Sequence, residues 1–383
     1  MKHIHSYLLI SATVLISSCK KDDTTTPSTP AATTPTYTVP STYTFTDSSG
    51  ASTVSFSGQT QRLAMLSEMV GYMKTTNTAG TAISADTLKK MYNNGGYVWA
   101  DAGALGLFGS SKQLKSKTAG GDAGVQATFE AYMDSIAKHS MGSVNITTHA
   151  YDSAGVWTNG TKSYLQASSG LEYGQLIEKG LMCAVFLNQM TNNYLAGIKN
   201  DDNTTVVAGK TYTQMQHHWD EAYGYLTSEI TYPAAGTDRF WGKYVNGREA
   251  VLGSATTLSE AFRKGRAAID NNDTTTRNAQ IVIINDAMEK VCAGTAIHYL
   301  NGAKADVSDA TLKNHQLSEA IAFLNGLRYG DNSISGKGMS ATDINTALAY
   351  IGTDLNAVTI TNINLAIDLI AAKTGLTSEK ASL

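Results

Sequence analysis

Apolar positions recur every three to four residues along most of the chain. In 58–76 they fall at Leu63, Leu66, Val70 and Met73, and in 122–138 at Val125, Phe129, Met133 and Ile136, the period of a helix with one buried face. The same spacing predicts helices over 170–197, 211–230, 257–270, 274–301, 308–329, 340–351 and 361–373. Alternation with period two marks Tyr43-Thr44-Phe45 and Val54-Ser55-Phe56 around the turn-prone Asp47-Ser48-Ser49-Gly50, which predicts a small N-terminal β-hairpin. Segments 95–120 and 141–168 are rich in Gly, Ser and Thr and read as long surface loops with partial structure. From residue 41 onward Pro233 is the single proline, and such scarcity suits long helices joined by Gly/Asn turns. The fold class expected is all-α, a helical bundle over 42–383.

What precedes the body has a different character. Lys2, the apolar run Tyr7–Ile16 and the ending Leu15-Ile16-Ser17-Ser18-Cys19 resemble a bacterial lipoprotein signal. Residues 1–18 would then be removed and Cys19 acylated, anchoring the protein in the outer membrane. Pro27, Pro30, Pro35 and Pro40 lie in a Thr/Pro/Ala-rich stretch that cannot pack and reads, over 19–41, as a flexible tether. Lys20-Lys21-Asp22-Asp23 resembles the charged stretch that Bacteroidota lipoproteins use for surface export, except that lysines come first. The protein is therefore expected on either the periplasmic or the cell-surface side.

Composition narrows the partners. The 383 residues carry a formal net charge of -3, which argues against a basic surface for nucleic acid. Charged residues make up only 16%, against ~25% in typical soluble domains, so Thr, Ser, Asn and Gly supply the polarity. Besides Cys19 the cysteines are Cys183 and Cys292, both in apolar helical sequence; at most one bridge is possible and two buried thiols are expected.

Candidate chemistry lies in an internal similarity. His217-His218-Trp219-Asp220-Glu221-Ala222 and His315-Gln316-Leu317-Ser318-Glu319-Ala320 share a His, three residues, then Glu-Ala, and each follows a helix with Glu-Lys near its middle, Glu178-Lys179 and Glu289-Lys290. Two related halves, 120–232 and 256–330, are expected. Residues three and four apart share a helix face, so His217 or His218 with Glu221, and His315 with Glu319, are candidate metal ligands; imidazole with carboxylate suits iron or zinc. Inward His/Glu pairs from facing helices are how bundles build metal sites, and a plain salt bridge is the competing role for each pair. Glu172, Gln175 and Glu178 could add oxygens. Arg263 and Arg266 could bind an anion, or pair with acids such as Glu260. The chain has no His-Glu-x-x-His, no Gly-x-Ser-x-Gly and no phosphate-cradling loop, which disfavours a conventional hydrolase.

His218-Trp219-Asp220-Glu221 resembles the His-x-x-Glu core of the imelysin family, helical-bundle surface or periplasmic proteins associated with iron uptake and once classed as peptidases. Met215–Tyr225, Phe262-Arg263-Lys264-Gly265-Arg266-Ala267-Ala268 and His315–Arg328 together look like a poorly characterised family of Bacteroidota lipoproteins related to imelysins. The resemblance implies two bundle halves and a metal-handling role. Gln216 stands where the imelysin pattern has Gly.

The expected function is thus a non-enzymatic lipoprotein that binds or delivers a metal ion, iron first, with an outer-membrane transporter as possible partner. A metal-dependent peptidase, with Glu221 or Glu319 activating water, is one alternative. A glycan-binding outer-membrane lipoprotein is another, for which exposed Trp99, Trp157 and Trp241 would be the supporting feature.

Overall fold

A computed structural model describes residues 36–100, 103–147, 153–234, 238–331 and 338–383. The leader 1–18, Cys19 and Lys20–Asp23 lie outside the described residues. The body, Val39–Leu383, is one unit and mostly helical. Helix α1 (Ser57–Lys74) buries Leu63, Leu66, Val70 and Met73, and α3 (Ala123–Ser140) buries Phe129, Met133 and Ile136, the residues that set the apolar period. The later helices are α5 (Gln214–Leu226), α7 (Ser254–Asp270), α8 (Thr274–Ala305), α9 (Ala310–Gly326), α10 (Ala341–Ile351) and α11 (Ile360–Thr374). Asp273 and Asp309 start α8 and α9 by accepting the Thr276 and Leu312 amides, satisfying orphan donors of the first turn.

Two helices lie outside the predicted set: α2 (Ala85–Asn93) and α6 (Phe240–Leu252). Each is short, and α2 buries only Leu88, Met91 and Tyr92, too few positions to establish a period. Helix α4 (Tyr173–Leu181) continues as π-helical turns through Met182–Leu187 and Gln189–Leu195. Nearly every side chain there is buried, as expected of a helix running through a core rather than along its edge.

The partial structure expected within 141–168 is a small sheet among the described residues 141–147 and 153–168. It comprises β1 (Asn145–Ile146), β2 (Gly155–Asn159) and β3 (Lys162–Gln166), with β1 parallel and β3 antiparallel to β2. Trp157 pairs with Tyr164, and Asn159 with Lys162 across the two-residue turn Gly160-Thr161, where Gly160 takes the left-handed conformation (φ 56°) that such turns require. The predicted N-terminal hairpin is reduced to one bridge, Thr46 to Ser52, closed by the Asp47 turn. Trp99, Trp157 and Trp241 are buried, not exposed.

Helix α8 packs against α7, α9 and α11, α9 packs against α4, and α5 packs against the π-helical turns. In both 120–232 and 256–330 a long helix therefore packs on the following helix that carries His and Glu. Cys183 and Cys292 are free and buried. Among the described residues no helix is long and apolar enough to cross a membrane.

Candidate functional site

The two His/Glu motifs meet different surroundings. On α5, the capping box Thr213/Gln216 fixes the helix start: Thr213 N donates to Gln216 Oε1 at 2.8 Å and Gln216 N to Thr213 Oγ1 at 3.2 Å. Gln216 Nε2 also reaches Asp270 Oδ1 at 2.7 Å. Gln216, the departure from the imelysin pattern, is thus an anchoring residue here.

His217 places Nε2 3.8 Å from Glu221 Oε2 and Nδ1 3.1 Å from Ser55 O, stacked on Tyr212. His218 turns to Asp201 instead, at 2.8 Å. Glu221 accepts Gln59 Nε2 at 2.9 Å.

The most buried charge of this motif is Asp220. It accepts Tyr43 OH at 2.8 Å, Ser55 N at 3.0 Å and Arg266 Nε at 3.0 Å, and Arg266 continues to Asp270 and to Thr53 Oγ1. Burial pushes the Asp220 carboxyl up to about 6 against the pull of Arg266 and Tyr43. Next to it the Trp219 indole donates to Phe262 O at 2.9 Å. The α5 and α7 segments that carry the family resemblance are therefore packed on each other. Arg263 donates to the Ser259 and Pro40 carbonyls, while Glu260 pairs with Lys264 at 2.5 Å, so neither arginine takes Glu260.

On α9 the second motif faces a cavity of about 790 Å³. Ser318, at the position of Asp220, accepts Glu172 N at 3.0 Å and so ties the start of α4 to α9. His315 lies between two carboxylates: Nδ1 is 3.1 Å from both oxygens of Glu172, and Nε2 is 3.9 Å from Glu319 Oε2. Gln166 Nε2, from β3, donates to Glu172 at 3.2 Å, and Tyr164 from the same strand stacks on the imidazole, 3.9 Å between centroids at 10°. Burial alone would lower the His315 pKa; the Glu172 hydrogen bond and charge, with the Glu319 charge, hold it above the usual histidine range.

Beyond His315 the wall is closed by Lys179. Its Nζ is 3.0 Å from Glu178 Oε1 and 3.0 Å from Glu319 Oε1, with the Tyr244 ring 5.9 Å away. Burial works against the ammonium, yet Glu319 and Glu178 outweigh it and hold the pKa above the ordinary lysine range. The Tyr244 and Tyr299 hydroxyls lie 3.3 Å apart, and burial keeps both phenols neutral.

Of the residues anticipated from sequence, Glu172, Gln175, Glu178, His315 and Glu319 share this cavity, whereas His217, His218 and Glu221 line none of it. A metal ion at His315 would compete with Lys179 for Glu319. Among the described residues no group of three or more His, Cys, Asp or Glu side chains is arranged to hold a metal ion.

The model of a family described as Domain of unknown function (DUF4856) matches residues 40–375. The chain belongs to the DUF4856 family. No curated protein and no solved structure matches it significantly. Sequence reasoning missed Lys179 as the cation of this DUF4856 cavity, and missed Tyr164, Tyr244 and Tyr299 in its wall. The Glu178-Lys179 repeat was a usable signal for the first. Tyr164 and Tyr244 carried none, because strand β3 and helix α6 were not anticipated, whereas Tyr299 lies on the anticipated α8 and only the packing of α9 and α6 against it shows its place in the wall.

Proposed function

We propose that this DUF4856 protein is a lipid-anchored, non-enzymatic binding protein that holds a small polar solute in the cavity beside α4 and α9. The observation that carries the reading is a set of deeply seated, mutually paired charges, Lys179 with Glu178 and Glu319 and His315 with Glu172, opening onto about 790 Å³ of space. Convergent polar groups in a large cavity are the usual mark of a binding site. Acylated Cys19 would hold the protein at the outer membrane, periplasmic or surface-facing, where it could pass cargo to a transporter. Thermal melts against a panel of small polar compounds test the binding. A hit should raise the wild-type melting temperature and leave Ser67→Phe, which adds a bulky ring to the cavity lining, unchanged. No hit, or equal shifts in both proteins, overturns the reading. For the anchor, Cys19→Ser should move the protein to the soluble fraction; unchanged membrane retention counts against it.

A second reading, metal binding with iron ahead of zinc, is favoured by one feature: both ring nitrogens of His315 face carboxylates. Calorimetry with Fe(II), Fe(III) and Zn(II) should then show binding that Glu172→Gln and Glu319→Gln weaken and that fades as pH falls through the histidine range. Glu221→Gln tests the His217/His218 site in the same titration. Wild-type heats at buffer level would remove this reading.

A further inference from the structure

Besides Asp238 and Arg239, joined by a hydrogen bond from Arg239 N to Asp238 Oδ1, two sets of polar groups stand out around the cavity. One is internally satisfied: Lys179 is held by two glutamates and His315 by Glu172, so a bare cation would have to displace an ammonium already in place. The other set is unspent. Gln175 Oε1 is buried without a hydrogen-bond donor among the described residues, and a buried acceptor left unpaired is costly. Tyr164, on the same wall, is held neutral, its pKa pushed up to about 12 by burial and by the Glu172 and Glu319 charges, so its hydroxyl can donate or accept. Lys162 and Lys243 also line the cavity and have no ion pair among the described residues. Lys74 reaches Glu178 only at 3.9 Å.

These leftovers describe a ligand. It has hydroxyl groups for Gln175 and the tyrosines, and a negative charge for the lysines at the mouth. An apolar solute would leave Gln175 unpaired, and a cationic one would meet the lysines. We propose that the cavity takes an acidic saccharide, with ring hydroxyls on Gln175 and the tyrosines and its carboxylate turned toward Lys162 and Lys243. This rests on the reading of the cavity as a binding site. It places the sugar among Tyr, Gln and Lys side chains in the cavity, not on an exposed tryptophan platform.

The test uses the full chain carrying Cys19→Ser, with calorimetry and thermal melts against glucuronate, glucose, a polyuronate, a carboxylate-bearing dipeptide and calcium chloride. Glucuronate should bind, with glucose about tenfold weaker for want of charge-assisted hydrogen bonds. Lys162→Glu with Lys243→Glu, both on exposed side chains, should abolish that preference without changing the melting temperature of the free protein. Gln175→Leu should weaken glucuronate and glucose alike. Binding of the polyuronate would place the natural source in a polymer, and binding of the monosaccharide alone would place it in the free sugar; both support the proposal. Equal or tighter binding of glucose, the dipeptide or calcium overturns it, as does glucuronate binding indifferent to the two charge reversals. If glucuronate fails while another solute binds wild type but not Ser67→Phe, this inference falls and the binding role stands. If nothing binds, both fall.

Discussion

Lys179 Nζ lies 3.0 Å from Glu319 Oε1, a buried cation of α4 on a buried carboxylate of α9. Removing one partner of such a pair leaves the other charged and desolvated. Lys179→Met should therefore cost about 3–5 kcal/mol, read from urea unfolding at neutral pH, and a loss under about 1 kcal/mol would show that water reaches the glutamates.

Asp220 and Glu221 are chain neighbours with different roles. Asp220→Asn takes the charge from a carboxylate bound to Tyr43, Ser55 and Arg266 and should destabilise by about 3–5 kcal/mol. Glu221→Gln keeps an acceptor for Gln59 at a partly exposed position and should cost less than about 1 kcal/mol. Denaturant titration of both variants checks the order, and a reversed order would contradict the packing of α5 on α7.

The His315 pKa is raised in the folded protein by Glu172 and Glu319. A histidine so shifted contributes stability that is fully present below its unfolded pKa of about 6.5 and lost as pH rises through the folded value. The stability gap between wild type and His315→Gln should accordingly be larger at pH 5.5 than at pH 8.5, measured by urea unfolding. A gap that widens toward alkaline pH would mean that His315 is held neutral.

Gly265 of α7 faces the Trp219 indole so closely that a Cβ would overlap its six-membered ring, and the indole is fixed by its bond to Phe262 O. Gly265→Ala should lower stability by about 1–3 kcal/mol through overpacking. A melting temperature equal to wild type would show that α5 and α7 can separate at no cost.

The sequence by itself determined the long helices, the burial of both body cysteines and the chain of residues from which a site could be drawn. Helical period, caps such as Asp309 and the run of apolar side chains through Met182–Leu187 act between residues a few positions apart, so a single strand of text contains them. The short hairpin β2–β3 was also local: its signal was the two-residue Gly160-Thr161 turn between alternating runs, masked by the Ser/Thr-rich composition around it.

Only the tertiary structure decided which charges became buried and what they paired with. His315 meets Glu172 across 143 residues and Tyr43 meets Asp220 across 177. The motif His-x-x-x-Glu is the same in α5 and α9, yet α7 brings Arg266 against Asp220 in one, while α4 brings Lys179 against Glu319 in the other. Charge pairing depends on the facing helix and on the dielectric that its packing creates, and neither is written in the spacing of the motif.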